Sequence, residues 1–125
     1  MKAECYCFSF ERLEVWKRSR ALVVAVYRVM EKFPSVEKYA LCEQLRRAIV
    51  SVPSNIAEGS GRTSLNEKIR FVEIAYGSLL EAYCQLSIAV DLNYMTKEEL
   101  DALKKQFSCI SKMLSNLRAS FKSRI

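Results

Sequence analysis

A chain of 125 residues, half of them apolar, builds one ordinary domain with a sizeable core and is too short for two. Three glycines and two prolines leave few turns, which excludes a fold of many short strands and favours long helices. The net charge of +6 is modestly basic, and the lack of any histidine excludes Ser-His-Asp and Cys-His centres, the usual zinc sites and the Glu-x-x-His di-iron bundle.

Residues 1–9 show no period and are expected to form a loose N-terminal tail, with residues 10–125 as a single domain. Cys5 and Cys7 lie in that tail, where two thiolates without histidine make a poor metal site. Cys42, Cys84 and Cys109 fall inside helical patterns, and all five cysteines read as free thiols of a reducing compartment. The first helix is expected from about Arg12 to Phe33, with Leu13, Trp16, Val23, Val26, Tyr27, Met30 and Phe33 on one stripe. Pro34 stops it, because proline disfavours helix in the residue before it.

Ser35 then offers an N-cap to the second helix, with Glu37 in the first turn. Cys42, Leu45, Ile49, Val52 and Ile56 step 3-4-3-4 along a heptad seam. Pro53 falls inside that seam and deprives the carbonyl of Ile49 of its helical partner. Because the apolar spacing continues past it, the reading is one helix kinked at Pro53. Gly59 and Gly61 are expected to end it, either one being able to take the left-handed cap conformation.

Ser64 to Glu67 reads as a capping box that opens a third helix. Its seam is unbroken: Leu65, Ile69, Val72, Tyr76, Leu79, Tyr83, Leu86 and Val90. A second surface is apolar or small, with Phe71, Ile74, Ala75, Ser78, Leu80 and Ala82, and Gly77 sits mid-helix, where glycine costs about 1 kcal/mol relative to alanine. A helix apolar on two sides sits deep in a fold or packs against another subunit. After a turn at Asn93 to Met95, Thr96 and Glu99 make a second capping box. The fourth seam is Leu100, Leu103, Phe107, Ile110, Leu114, Leu117 and Phe121, with Lys104, Lys105, Lys112, Arg118 and Lys122 off it. Four amphipathic helices with short connections predict an all-α, antiparallel, up-down-up-down four-helix bundle. The longest apolar run, Ala21 to Tyr27, is far short of a membrane span, and with no signal peptide the chain is expected in the cytoplasm.

Chemistry is sparse. Gly59-Ser60-Gly61 lacks the strand and the glycine spacing of a phosphate-binding loop. No catalytic residue, metal site or cofactor is expected, and the chain is read as a non-enzyme. What remains is Asn55, Glu58 and Arg62, with Gln44, Arg46 and Arg47 upstream. Asn55 and Glu58 share a helix face beyond the proline. They either satisfy backbone groups freed at the kink or neighbouring helix start, or they meet a ligand. Charge is uneven: residues 64–103 carry three basic and seven acidic groups, and residues 104–125 carry six basic and none acidic. That contrast fits charge complementarity within or between chains, or a polyanion-binding face.

The segments Phe10-Glu11-x-Leu13-Glu14-Val15-Trp16, Phe33-Pro34, Gln44-Leu45-Arg46-Arg47-Ala48, Ser51-Val52-Pro53-Ser54-Asn55-Ile56-Ala57-Glu58-Gly59 with Arg62, and Ala75-x-Gly77-Ser78-Leu79-x-Glu81 carry a resemblance. They are similar to the four-helix bundle proteins encoded in intervening sequences of bacterial large-subunit ribosomal RNA genes, relatives of the accessory variability protein of diversity-generating retroelements. The resemblance implies a homopentameric ring, no enzymatic activity and a nucleic-acid role. It marks Ser51, Pro53, Asn55, Glu58 and Gly59 as family-motif positions. The residues themselves support an oligomer only through the two-sided third helix and its small patch, so Ala75, Gly77, Ser78 and Glu81 are the candidate subunit contacts.

Two functions follow. One is sequence-tolerant RNA or DNA binding through Arg46, Arg47, Arg62, Lys104, Lys105, Lys112, Arg118 and Lys122, repeated around an oligomer. The other is a protein-interaction scaffold or adaptor, for example for a reverse transcriptase, in which nucleic-acid affinity is incidental.

Overall fold

Four helices, α1 (Glu14–Met30), α2 (Leu41–Ser60), α3 (Leu65–Asp91) and α4 (Lys97–Lys122), carry the structure, a computed structural model that describes residues 7–125. Two short 3-10 turns, Ser9–Arg12 and Ser35–Glu37, precede α1 and α2, and there is no strand among the described residues. α1 and α3 each pack against α2 and α4, and the backbones of the diagonal pairs stand further apart. Contacts run in opposite order along each neighbouring pair: Ser51 meets Ser78 and Ser60 meets Lys68, while Tyr83 meets Phe107 and Glu73 meets Arg118. Lys32 near the end of α1 meets Glu99 near the start of α4. The result is an antiparallel four-helix bundle. No helix among the described residues is long and apolar enough to cross a membrane.

The seams of α2 and α4 lie where the spacing puts them. Cys42, Leu45, Ile49, Val52 and Ile56 are buried, as are Leu100, Leu103, Phe107, Ile110 and Leu114. α2 runs unbroken through Pro53, so the proline divides nothing. α3 fills the space between α2 and α4 with Ile69, Val72, Ala75, Leu79, Ala82, Leu86 and Ala89. Its alanines Ala75, Ala82 and Ala89 are fully buried, and its most extensive interface is that with α2. At the far end of this interface a Cβ on Gly59 would stand 2.7 Å from Cβ of Phe71, so only glycine lets the two helices approach this closely.

Several local expectations are corrected. The buried stripe of α1 is Val15, Ser19, Leu22, Val26 and Met30, while Val23 is half-buried and Tyr27 exposed. Ser19 disguises that stripe: it is buried because its hydroxyl donates to the Val15 carbonyl at 2.7 Å. Residues 1–6 of the expected tail, Cys5 among them, lie outside the described residues. The last tail residue, Ser9, already starts a 3-10 turn, in which the Phe8 N–H donates to Glu11. Ser35 caps no long helix. α2 starts six residues later, where Glu37 accepts from the Leu41 N–H across the gap. Neither Gly59 nor Gly61 is left-handed; Gly61 ends α2 in a right-handed conformation. The left-handed cap is instead Asn93, with φ 63°. There the Tyr94 N–H reaches the Ala89 carbonyl and the Asn93 N–H that of Val90, a Schellman ending for α3. At Ser64 half the capping box forms, its hydroxyl accepting from the Glu67 N–H, while Thr96 and Glu99 complete theirs in both directions.

Candidate functional site

The Ser51–Arg62 segment spends most of its polar groups inside the chain. Ser51 and Ser78 share a hydroxyl–hydroxyl hydrogen bond of 2.9 Å across the α2–α3 interface. The Asn55 amide donates to both the carbonyl and the hydroxyl of Ser51, each at 2.8 Å. Of the two readings the sequence leaves for Asn55, the geometry fits backbone satisfaction, although the carbonyl concerned is that of Ser51 and not that of Ile49. Glu58 and Arg62 pair at 3.3 Å, and the Arg62 guanidinium also lies 3.9 Å from Glu67 and 4.8 Å above the Phe71 ring. Two carboxylates and a ring therefore hold Arg62 at the α2–α3 turn, so it is not the free phosphate-reading cation the sequence suggests.

The other expected cations divide in the same way. Arg46 donates to the Lys38 carbonyl at 3.0 Å and closes the α1–α2 connection. Arg118 is tied to Glu73 at 2.6 Å across α3 and α4. Arg47, its side chain 80% exposed, pairs with Glu43 on its own helix at 4.0 Å. Lys104, Lys105, Lys112 and Lys122 are exposed and take part in no ion pair among the described residues.

Antiparallel packing collects further cations that no local pattern marks. The start of α1, the end of α2, the start of α3 and the end of α4 share one half of the bundle. That half holds Arg12, Lys17, Arg18, Arg20, Arg62, Lys68, Arg70, Lys112, Arg118, Lys122 and Arg124, against Glu11, Glu14, Glu58, Glu67 and Glu73. Its excess equals the whole net charge of +6, and the other half is neutral. Lys17 comes from α1, Lys68 and Arg70 from α3 and Arg124 from just beyond α4, and the pairing of helix against helix brings them into one half. Aromatic rings interleave with these charges: Arg20 stands 4.7 Å over Trp16 and Arg124 5.4 Å over Phe121.

The expected subunit contacts also separate. Ala75 is fully buried in this chain's own core and Ser78 is bonded to Ser51, so neither is free to meet a second copy. Gly77 and Glu81 are exposed. Around them α3 presents Ile74, Leu80, Ile88 and Leu92, 39–53% exposed, among Glu73, Glu81 and Asp91. The outward face of α3 is therefore apolar and acidic, and that of α4 is basic. Behind the α3 face, the carbonyl oxygen of the buried Gln85 side chain has no partner, although its amide donates to Glu81 at 3.3 Å.

Cys7, Cys42, Cys84 and Cys109 are free thiols. Burial pushes the Cys42 thiol up, against the lowering effect of Arg46. Among the described residues no group of His, Cys, Asp or Glu could hold a metal ion.

A family model described as 23S rRNA-intervening sequence protein matches residues 11–116. Among solved structures, the chain is similar to a protein with unknown function from the S23 ribosomal protein family of Bacteroides thetaiotaomicron VPI-5482. The two are 20% identical, the match covers 83% of this chain and 97% of the other, and the TM-score is 0.73, a likeness of fold. No curated protein matches the chain.

Proposed function

Because the chain belongs to the 23S rRNA-intervening sequence protein family, we propose that it acts without catalysis, as a homo-oligomeric bundle that binds RNA or DNA through phosphate contacts. The observation that carries this reading is the polarised charge: one half of the bundle holds the whole excess of +6. Counterion release from a polyanion rewards such a surface whatever the base sequence. Lys112 and Lys122 are its exposed cations on α4, unpaired among the described residues, and Lys104 and Lys105 carry the α4 run into the neutral half, while Arg47 stands apart on α2. A ring such as the homopentamer would repeat this surface and add weak contacts by avidity. The outward apolar and acidic face of α3 supports assembly, since the basic face of α4 on a second copy complements it.

Retention of labelled RNA and DNA over a salt titration tests the binding. Affinity should fall steeply and log-linearly with salt for both, and absence of retention at low ionic strength would reject it. An adaptor role for the α3 face would instead show as a protein partner that survives nuclease treatment in a pull-down.

A further inference from the structure

The basic half ends in a cleft of about 250 Å³ between the 3-10 turn at Ser9–Arg12, the end of α2, the start of α3 and the end of α4. Its walls are apolar, including Leu13, Ile56, Leu117 and the ring of Phe121. Lys68 and Arg124 stand in its lining, and among the described residues no carboxylate does. The cleft at the opposite end, beside Cys42, differs: Glu31 accompanies its Lys38 and Arg46. Lys68 is held in position by donating to the Ser60 carbonyl at 3.2 Å, and Arg124 by Ser120 at 3.2 Å. The same 3-10 turn that puts Ser9 in the cleft presents Phe8. That ring lies parallel to Phe10, 5.9 Å between centroids and 5° apart, and is 74% exposed.

Apolar walls with an aromatic ring, a second exposed ring and flanking cations form the combination that single-stranded nucleic acid recognises. Bases stack on rings, and phosphates lie along the cations. Paired bases in a duplex are already stacked inside it and cannot enter such a cleft. We propose that this end of the bundle is a single-strand site, taking an unpaired base against Phe121 in the cleft and stacking a neighbouring base on Phe8, with the phosphates between them at Lys68 and Arg124. The inference rests on the nucleic-acid reading above and narrows it from any polyanion to unpaired strands.

Fluorescence anisotropy of the full chain at low salt tests it, with a labelled oligouridine of about 20 nucleotides and a blunt RNA duplex of the same length. The single strand should bind about tenfold more tightly than the duplex. Phe8→Ala, at an exposed ring, and Phe121→Leu, which keeps the helix end apolar, should each weaken oligouridine binding by about tenfold and leave duplex binding unchanged, as expected for the loss of one base–ring stack. Circular dichroism of both variants should match that of the parent. Equal affinity for strand and duplex, or unchanged oligouridine affinity in both variants, overturns the single-strand site. If duplex binding then still falls in a Lys112→Glu, Lys122→Glu variant, the phosphate-binding reading survives that result. Failure to retain either nucleic acid overturns both.

Discussion

The two ends of the bundle are built to different ends by the same four helices. At the end holding the α1–α2 and α3–α4 connections, local charges and polar groups are matched to one another. The Tyr94 hydroxyl donates to Glu37 at 2.6 Å, its ring packs against Phe33, Lys32 meets Glu99, and Glu99 completes the cap on α4. At the end holding the α2–α3 turn, cations outnumber carboxylates and an apolar cleft stays open. Neutral, cross-braced structure serves the fold. Charge that the fold leaves uncompensated costs some self-repulsion and is the better guide to a partner.

The largest effect should come from tightening the open end. A Gly→Ala change at a free helix position stabilises by about 1 kcal/mol. At Gly59 the added methyl meets Cβ of Phe71, which cannot swing away as the tip of a long side chain could. Overpacking of this kind costs about 1–3 kcal/mol, so Gly59→Ala should lower stability in urea denaturation. A gain would mean that α2 and α3 stand further apart at this end than the geometry gives.

The second test separates the ends by charge. Lys112→Glu with Lys122→Glu removes two unpaired cations, and RNA affinity at low salt should fall about tenfold, with a shallower salt slope. Lys97→Glu alters an exposed lysine at the neutral end that already pairs with Asp101 at 3.8 Å, and should change affinity less than twofold. Equal losses from both ends would erase the functional contrast between them.

The third concerns acid. The hydrogen bond from Lys32, followed by the Thr96 N–H, holds the Glu99 carboxyl below its ordinary value of 4.5. A carboxyl depressed in the folded state adds stability that is present above its unfolded value and lost as pH falls through its folded value. Thermal melts between pH 6 and pH 3 should therefore show a steeper loss for the parent than for Glu99→Gln. The difference should stay below about 1 kcal/mol, because both partners are partly exposed to solvent. Parallel curves would remove the ion pair from the neutral end's account.

Periodicity made the helices of this fold readable, and it also set the limit of what could be read. The seams of α2 and α4 are strict and were legible residue by residue. α1 was not, because apolar residues surround much of it and a buried serine satisfied by its own helix looks like a surface residue. The α2 start was hidden for a related reason: Ala40 precedes it without a capping side chain, and the stabilising carboxylate of Glu37 lies outside the helix. Glycine signalled a helix end at Gly59, yet its role there is close approach, a property of the partner helix. At the candidate site, the charges on α4 could be read as a run. The cations of α1 and α3 that join them, and the pairing that removes Arg62 and Arg118 from the free set, depend on contacts between segments far apart in sequence.

The smallest expected effect bears on the α3 face, which belongs to neither end. Gly77 lies mid-helix with right-handed geometry, and a Cβ there would meet nothing within 4 Å. In the isolated chain Gly77→Ala should therefore stabilise α3, by no more than about 1 kcal/mol. The same methyl would stand among Ile74, Leu80 and Glu81, on the face proposed to meet a second copy. Close helix–helix contact tolerates glycine and rejects added bulk, as Gly59 illustrates inside the chain. Sedimentation velocity on Gly77→Ala should accordingly show weaker assembly together with a monomer that melts slightly higher. A variant that gains stability and assembles as the parent does would move the subunit contact off this face, leaving the exposed isoleucines and leucines of α3 to a different partner.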